Sequence, residues 1–280
     1  MKKLVFLTTL LMGLQSFAGN FYDLKIKGTN ESIFNSFVKQ GVPSIPLKRI
    51  YDYLNVNSGK AVKVASKNRV DGKYVVGTKD ITVRGDWIAI IDYTLPSEVR
   101  RLYIMNVITG QITKHHTAHG KGSGVRFATK FSNINNSKMS SLGLYLGGAV
   151  YRGGHGPSLR LHGLDASNNK AAQRDVVIHA ASYVSDSFLK THHRLGRSWG
   201  CPAISTALMK RVNQTFTEGG VIYAYHKDLA AKALTTGNLL EDKSIHDDAD
   251  QDYDGEEEVE RAKVTKRPVA KPAAKPAAKK

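Results

Sequence analysis

Apolar positions recur at helical spacing early in the chain and in short strand-like runs later. Between Glu31 and about Tyr53, Ile33, Phe34, Phe37 and Val38, then Leu47, Ile50, Tyr51 and Leu54, return every three to four residues, and Pro43 and Pro46 interrupt them. That spacing predicts two short helices. From Trp87 onward the runs are compact, bounded by Gly, Asn, Ser or Pro, and predict strands over residues 87–93, 101–106, 111–117, 142–151, 158–164, 174–179 and 221–225. Thr109-Gly110 supplies the turn that makes the second and third of these a hairpin. Gly-rich loops fall at residues 120–124 and 153–156. The expectation is a mainly β fold with short helices, its mixed sheets spanning about residues 65–230 and a helical lead-in occupying residues 19–64.

Both ends depart from this pattern. Lys2 and Lys3, an apolar stretch from Leu4 to Leu14, and Ser16-Phe17-Ala18 before Gly19 have the layout of a cleavable secretory signal over residues 1–18. Residues 241–260 hold eleven acidic side chains and one Lys, and residues 261–280 hold eight Lys or Arg in a Pro- and Ala-rich run. With so little apolar content, residues 241–280 are expected to be disordered, because burial cannot offset the entropy of ordering them.

Charge narrows the partners. Of the formal +17, the acidic stretch removes ten and the basic tail supplies eight, so the first 240 residues are strongly basic on their own account. A field of that sign favours polyanions. Export, to the periplasm or to the cell wall and beyond, argues against nucleic acid and directs the choice toward peptidoglycan, anionic glycolipid or phosphate-rich surfaces. No apolar run beyond the signal approaches the roughly twenty residues that span a bilayer, so no transmembrane segment is expected.

The chemistry converges on Cys201, the single cysteine. Exported proteins usually keep cysteines in disulfide pairs, so a lone thiol is either a small buried hydrophobe or a nucleophile. It lies in Leu195-Gly196-Arg197-Ser198-Trp199-Gly200-Cys201-Pro202-Ala203, downstream of His179 at the end of an apolar strand. Gly before and Pro after place it at a sharp change of direction, where the backbone N–H groups of Trp199, Gly200 and Cys201 can converge as an oxyanion hole.

These residues resemble a known family. His179 followed by Ser198-Trp199-Gly200-Cys201 is similar to the His, then Ser/Thr-His-Gly-Cys signature of the L,D-transpeptidase catalytic domain, the cysteine enzymes of peptidoglycan. Trp199 stands where that signature has His. Thr117-Ala118-His119-Gly120-Lys121-Gly122-Ser123-Gly124, Phe131-Ser132-Asn133, Ser140-Ser141-Leu142-Gly143-Leu144-Tyr145 and Ser158-Leu159-Arg160-Leu161-His162-Gly163-Leu164 resemble its murein branch, in the same order, over roughly residues 35–225. The resemblance implies a mixed β-sheet or sandwich catalytic domain. It implies that Cys201 is the nucleophile and His179 the base, with His162, in Leu161-His162-Gly163, a rival for that role, that the carbonyl of Ala180 orients His179, and that no metal or organic cofactor is used. The substrate would be the peptidoglycan stem peptide, whose third residue is attacked and whose terminal D-alanine is expelled. Ser198, Arg197, Arg160, Arg174 and Tyr145 are the candidates for contacting it.

Other readings start from other residues. His115-His116-Thr117-Ala118-His119 and His192-His193 are rich enough in His to raise a zinc peptidase, although adjacent His on a strand point to opposite faces. The loop at residues 120–124 lacks the full spacing of a phosphate-binding loop and reads better as a turn bordering the substrate groove. Hydrolysis in place of amine transfer would make the chain an L,D-carboxypeptidase, and a lapsed site would leave a wall-binding protein.

Overall fold

The computed structural model describes residues 31–71 and 73–227. The signal sequence and the charged tail read from the sequence lie outside these residues. The two expected helices are α1 (Glu31–Lys39) and α2 (Ser44–Asn57). Pro43 ends the link between them, and its extended φ and ψ set up the start of α2.

Next come β1 (Ala61–Val70) and β2 (Lys73–Thr82), an antiparallel hairpin in which Ala61 faces Thr82 and Val70 faces Lys73. This hairpin was not among the predicted strands. Its outer half is exposed on both faces, so it lacks the apolar alternation that marks a half-buried strand.

Among the described residues, eight strands form the main sheet: β3 (Trp87–Asp92), β4 (Leu102–Asn106), β5 (Ile112–His115), β6 (Gly143–Gly153), β7 (Gly156–Gly163), β8 (Val177–Ala180), β9 (Ala203–Ile204) and β10 (Val221–Tyr225). Their spatial order is β5-β4-β3-β10-β6-β7-β8-β9. β10 lies parallel to β3 and β8 parallel to β9; the other pairings are antiparallel. The fold is therefore mainly β, with a mixed sheet as expected. Two helices that the apolar pattern did not suggest complete it: α3 (Asp186–His192) and α4 (Thr206–Phe216). The strand expected over residues 174–179 begins only at Val177, because Asp175 adopts a left-handed turn (φ 54°).

The central strands read as continuous apolar runs because both faces are covered. Ile88 and Ile90 of β3, Tyr103 and Met105 of β4, and Val221, Tyr223 and Tyr225 of β10 face a core closed by Phe34 and Phe37 of α1 and by Leu47, Ile50 and Leu54 of α2. Alternating with them, Ala89, Ile91, Leu102, Ile104, Ile222 and Ala224 face a second core filled by Leu208, Met209, Val212 and Phe216 of α4. The leading helices thus belong to the same core as the sheet. A third, smaller cluster gathers Ala118, Ala181, Tyr183, Val184, Leu195 and Ala203, the last two on either side of Cys201 in sequence.

Candidate active site

Parallel pairing of β8 and β9 sets His179 opposite Ala203, two residues beyond Cys201, and the His179 N–H donates to the Pro202 carbonyl at 3.3 Å. Residues far apart in sequence are thereby brought to one edge of the sheet. Cys201 and His179 line a single cleft of about 320 Å³, together with Lys67, Tyr74, Tyr151, His155, Arg160, Asp175 and Trp199.

His179 is 2% exposed, and its Nδ1 lies 3.0 Å from the carbonyl oxygen of Ala180. A carbonyl can only accept, so Nδ1 carries the hydrogen, and in the neutral ring Nε2 is the nitrogen able to take a proton. Cys201 is partly exposed, and its Sγ is 3.8 Å from the carbonyl oxygen of Asp175. The left-handed backbone of Asp175 aims that carbonyl at the thiol while the Asp175 carboxylate pairs with Lys67 of β1.

The loop bearing Cys201 is held by backbone contact. At Gly200 φ is +123°, and a Cβ there would come within 2.8 Å of the Met139 carbonyl oxygen. At Gly120 a Cβ would lie 2.7 Å from Gly200 Cα and 2.4 Å from the Lys138 carbonyl oxygen. Only glycine fits where three chain segments touch this closely. The Ser140 hydroxyl joins all three, accepting from the Gly120 N–H at 3.0 Å and donating to the Gly200 carbonyl at 3.1 Å. The Lys121 N–H donates to the Ser198 carbonyl at 2.7 Å, and the Ser198 N–H to the His119 carbonyl at 3.0 Å. The Gly-rich loop at residues 120–124 therefore buttresses the thiol loop.

Behind it lies a buried, cationic support. Arg101 is fully buried, with its guanidinium on the carbonyls of Thr117 and Leu95 and on His119 Nδ1 at 2.7 Å. His119 Nε2 in turn faces the Gly124 carbonyl at 3.2 Å. Burial, with the Arg101 charge adding to it, lowers the His119 pKa to about 3, so the ring is neutral near pH 7.

The expected site residues divide. Arg160 reaches the cleft, with its guanidinium over the Tyr151 ring at 4.5 Å. Trp199 stands at the cleft with Lys121 and Lys138 5.1 and 4.9 Å from its ring centre. Ser198 is fully buried and spans the turn, its hydroxyl donating to the Cys201 carbonyl and accepting from the Gly200 N–H at 3.1 Å. Of the three N–H groups expected to form an oxyanion hole, that of Gly200 is thus already engaged.

Tyr145 and Arg197 do not reach the cleft, which corrects their place among the substrate contacts. Tyr145 points from β6 into the second core and donates to the Ser141 carbonyl at 3.0 Å. Arg197 is 5% exposed and donates to the Gly124 carbonyl at 3.2 Å. Arg174 also supports the site from behind, holding the carbonyls of Ser132 and Met139 at 2.7 and 2.6 Å. His162 is away from the cleft as well. It is buried, its Nδ1 is 2.8 Å from the Ala65 carbonyl oxygen, and it ties β7 to the β1–β2 hairpin.

Lys67, Tyr74, His155 and Asp175 line the cleft and went unsuspected from sequence. His155, in the tight turn between β6 and β7, stacks on His179 with ring centroids 4.3 Å apart. The glycines around it announced that turn, but not which side chain it would carry inward. Among the described residues, no three His, Cys, Asp or Glu side chains are grouped to hold a metal ion, and no helix is long and apolar enough to cross a membrane.

Residues 61–225 match the family model for the L,D-transpeptidase catalytic domain. The match covers more than half of the chain, which therefore belongs to that family. Solved structures similar to it include an L,D-transpeptidase from Mycobacterium smegmatis, at 12% identity over 60% of this chain and 68% of that one, with a TM-score of 0.33. Another is L,D-transpeptidase 3 from Mycobacterium tuberculosis, at 9% identity over 66% of this chain and 89% of that one, with a TM-score of 0.33. A third is an Enterococcus faecium L,D-transpeptidase, at 10% identity over 64% and 82%, with a TM-score of 0.31. No curated protein matches the sequence.

Proposed function

We propose that the chain is a cysteine-dependent peptidoglycan L,D-transpeptidase acting outside the cytoplasm, in the periplasm or at the cell wall. One observation carries the reading: Cys201 and His179 line the same cleft, with His179 Nδ1 committed to the Ala180 carbonyl. That commitment leaves Nε2 to accept the thiol proton, and a thiol needs such a base because little of it is thiolate at neutral pH. The Cys201 thiolate attacks the carbonyl carbon of the third stem-peptide residue. Negative charge on the carbonyl oxygen is received by backbone N–H groups of the Trp199-Gly200-Cys201 loop, of which that of Gly200 also donates to the Ser198 hydroxyl. Collapse breaks the amide bond, His179 returns its proton to the departing D-alanine amine, and a thioester remains on Cys201. An amine then attacks the thioester and releases the thiol.

Arg160 and Lys67 supply the positive charge that stem-peptide carboxylates require, and the basic body suits an anionic wall. The test incubates the purified chain with tetrapeptide muropeptides, with and without a free D-amino acid, beside the Cys201→Ala variant. Loss of D-alanine with cross-linking or exchange by mass spectrometry, absent in the variant, is the expected result. A tripeptide alone would shift the assignment to an L,D-carboxypeptidase, and no product from folded protein would overturn the enzymatic reading.

A further inference from the structure

We propose that His155 is a second proton-handling residue of this cleft, one that takes the proton from the incoming acceptor ammonium; the inference rests on the transpeptidase reading above. Its ring stacks on His179 with centroids 4.3 Å apart and planes at 29°, and both rings line the cleft with Cys201. It is presented by a two-residue turn in which Gly153 pairs with Gly156, at the end of the β6–β7 hairpin. The mechanism through His179 alone makes no use of it.

The need for a second group follows from proton accounting. In the first half-reaction the thiol proton passes to His179 and on to the departing amine, which leaves His179 neutral. In the second, a neutral amine forms its C–N bond as the C–S bond breaks, and one of its N–H protons returns through His179 to the sulfur. That step balances only for a neutral amine. An aliphatic amine near pH 7 is mostly ammonium, with no lone pair to attack, so one further proton must leave first. His155 accepts it and later releases it to water. Two imidazolium rings at this separation repel, so the pair handles its protons one after the other. The groups facing the pair are Lys67 from β1, Tyr74 from β2, Tyr151 from β6, Arg160 from β7, Asp175 before β8, and Cys201. Lys67 and Asp175 pair with each other, and Arg160 lies over Tyr151. Water brings no surplus proton, so hydrolysis of the same thioester does not call on His155.

The experiment gives the full chain a tetrapeptide muropeptide with deuterated D-alanine as acceptor and reads two products by mass spectrometry: labelled tetrapeptide from exchange and tripeptide from hydrolysis. In both His155→Gln and His155→Phe, the second of which keeps an aromatic ring against His179, the exchange-to-hydrolysis ratio at pH 7 is expected to fall about 100-fold. It should recover toward wild type near pH 10, where the amine has lost its proton unaided. An unchanged ratio in either folded variant overturns the proposal. So does a ratio loss that persists at high pH alongside an equal loss of the Cys201 acyl-enzyme, which would make His155 a prop for His179. If wild-type protein forms no acyl-enzyme on Cys201 at all, the transpeptidase reading itself falls, a result distinct from the other two.

Discussion

The two walls of the cleft are built on opposite rules. The wall that carries Cys201 is backbone against backbone: Gly120, Gly200 and the carbonyls of Lys138 and Met139 meet at distances that admit no side chain, and Ser140, Ser198 and His119 tie the segments together from buried positions. The facing wall is made of side chains on hairpins. Lys67 and Tyr74 come from β1–β2, Tyr151 and His155 from β6–β7, and the neighbouring Val75 and Val76 are about half exposed. Close glycine contact restricts where the backbone beside the reacting sulfur can sit, which proximity catalysis demands. Exposed side chains adapt to a substrate and can be exchanged without loss of the fold.

Changes to the buried wall should therefore cost most. His119 takes up a proton at the ordinary pKa of 6.5 in the unfolded chain but only near pH 3 when folded. Its contribution to stability is complete above pH 6.5 and is lost as the pH falls from there toward 3, on the order of 5 kcal/mol across the window. Urea denaturation at pH 7 and pH 4.5 should show that slope in the wild type and a flatter one in His119→Gln.

Gly200→Ala places a methyl group against the Met139 carbonyl in a left-handed backbone. Acyl-enzyme formation followed by intact mass should fall about 100-fold, which would be the signature of a displaced sulfur. Ser140→Ala removes one acceptor and one donor from the junction of the three segments. It should lower stability by about 2 kcal/mol in thermal denaturation, because two buried backbone groups lose their partner.

The opposite wall should yield smaller numbers. Lys67→Met breaks the ion pair with Asp175 and is expected to raise KM for the tetrapeptide about threefold, with stability almost unaffected, as suits a partly exposed pair. Val76→Ser, on the exposed part of β2, should change stability by less than about 0.5 kcal/mol. Should Val76→Ser prove as damaging as Gly200→Ala, the contrast between the walls would fail.

How much of this could be read beforehand depended on whether a residue's role was local. The helical periods of α1 and α2 and the doubly covered strands β3, β4 and β10 carry their own apolar signal, and so were visible. The β1–β2 hairpin carries none over its exposed half, and α4, whose apolar stripe is only Leu208, Met209, Val212 and Phe216, went unnoticed between two stronger features. At the site, a lone Cys flanked by Gly and Pro and a His closing an apolar strand are local facts. Which way a side chain faces is not: Tyr145 and Arg197 sit within the right motifs, yet β6 turns the first into the core and Gly124 draws in the second. Lys67 and His155 reach the cleft through hairpin geometry, which nothing near them in sequence records.

The sheet order has a consequence in time. β10 is the last strand among the described residues, yet it occupies the middle of the sheet, between β3 and β6. Until residue 225 has left the ribosome, the sheet exists at most as two separate halves, β5-β4-β3 and β6-β7-β8-β9, and the apolar edges of both are bare. The segment with Cys201 and His179 lies wholly in the second half, so a chain already holding every reacting atom still waits for the five residues of β10 before the two cores can close. Such long-range closure makes folding slow, and the chain is correspondingly long available in an unfolded state.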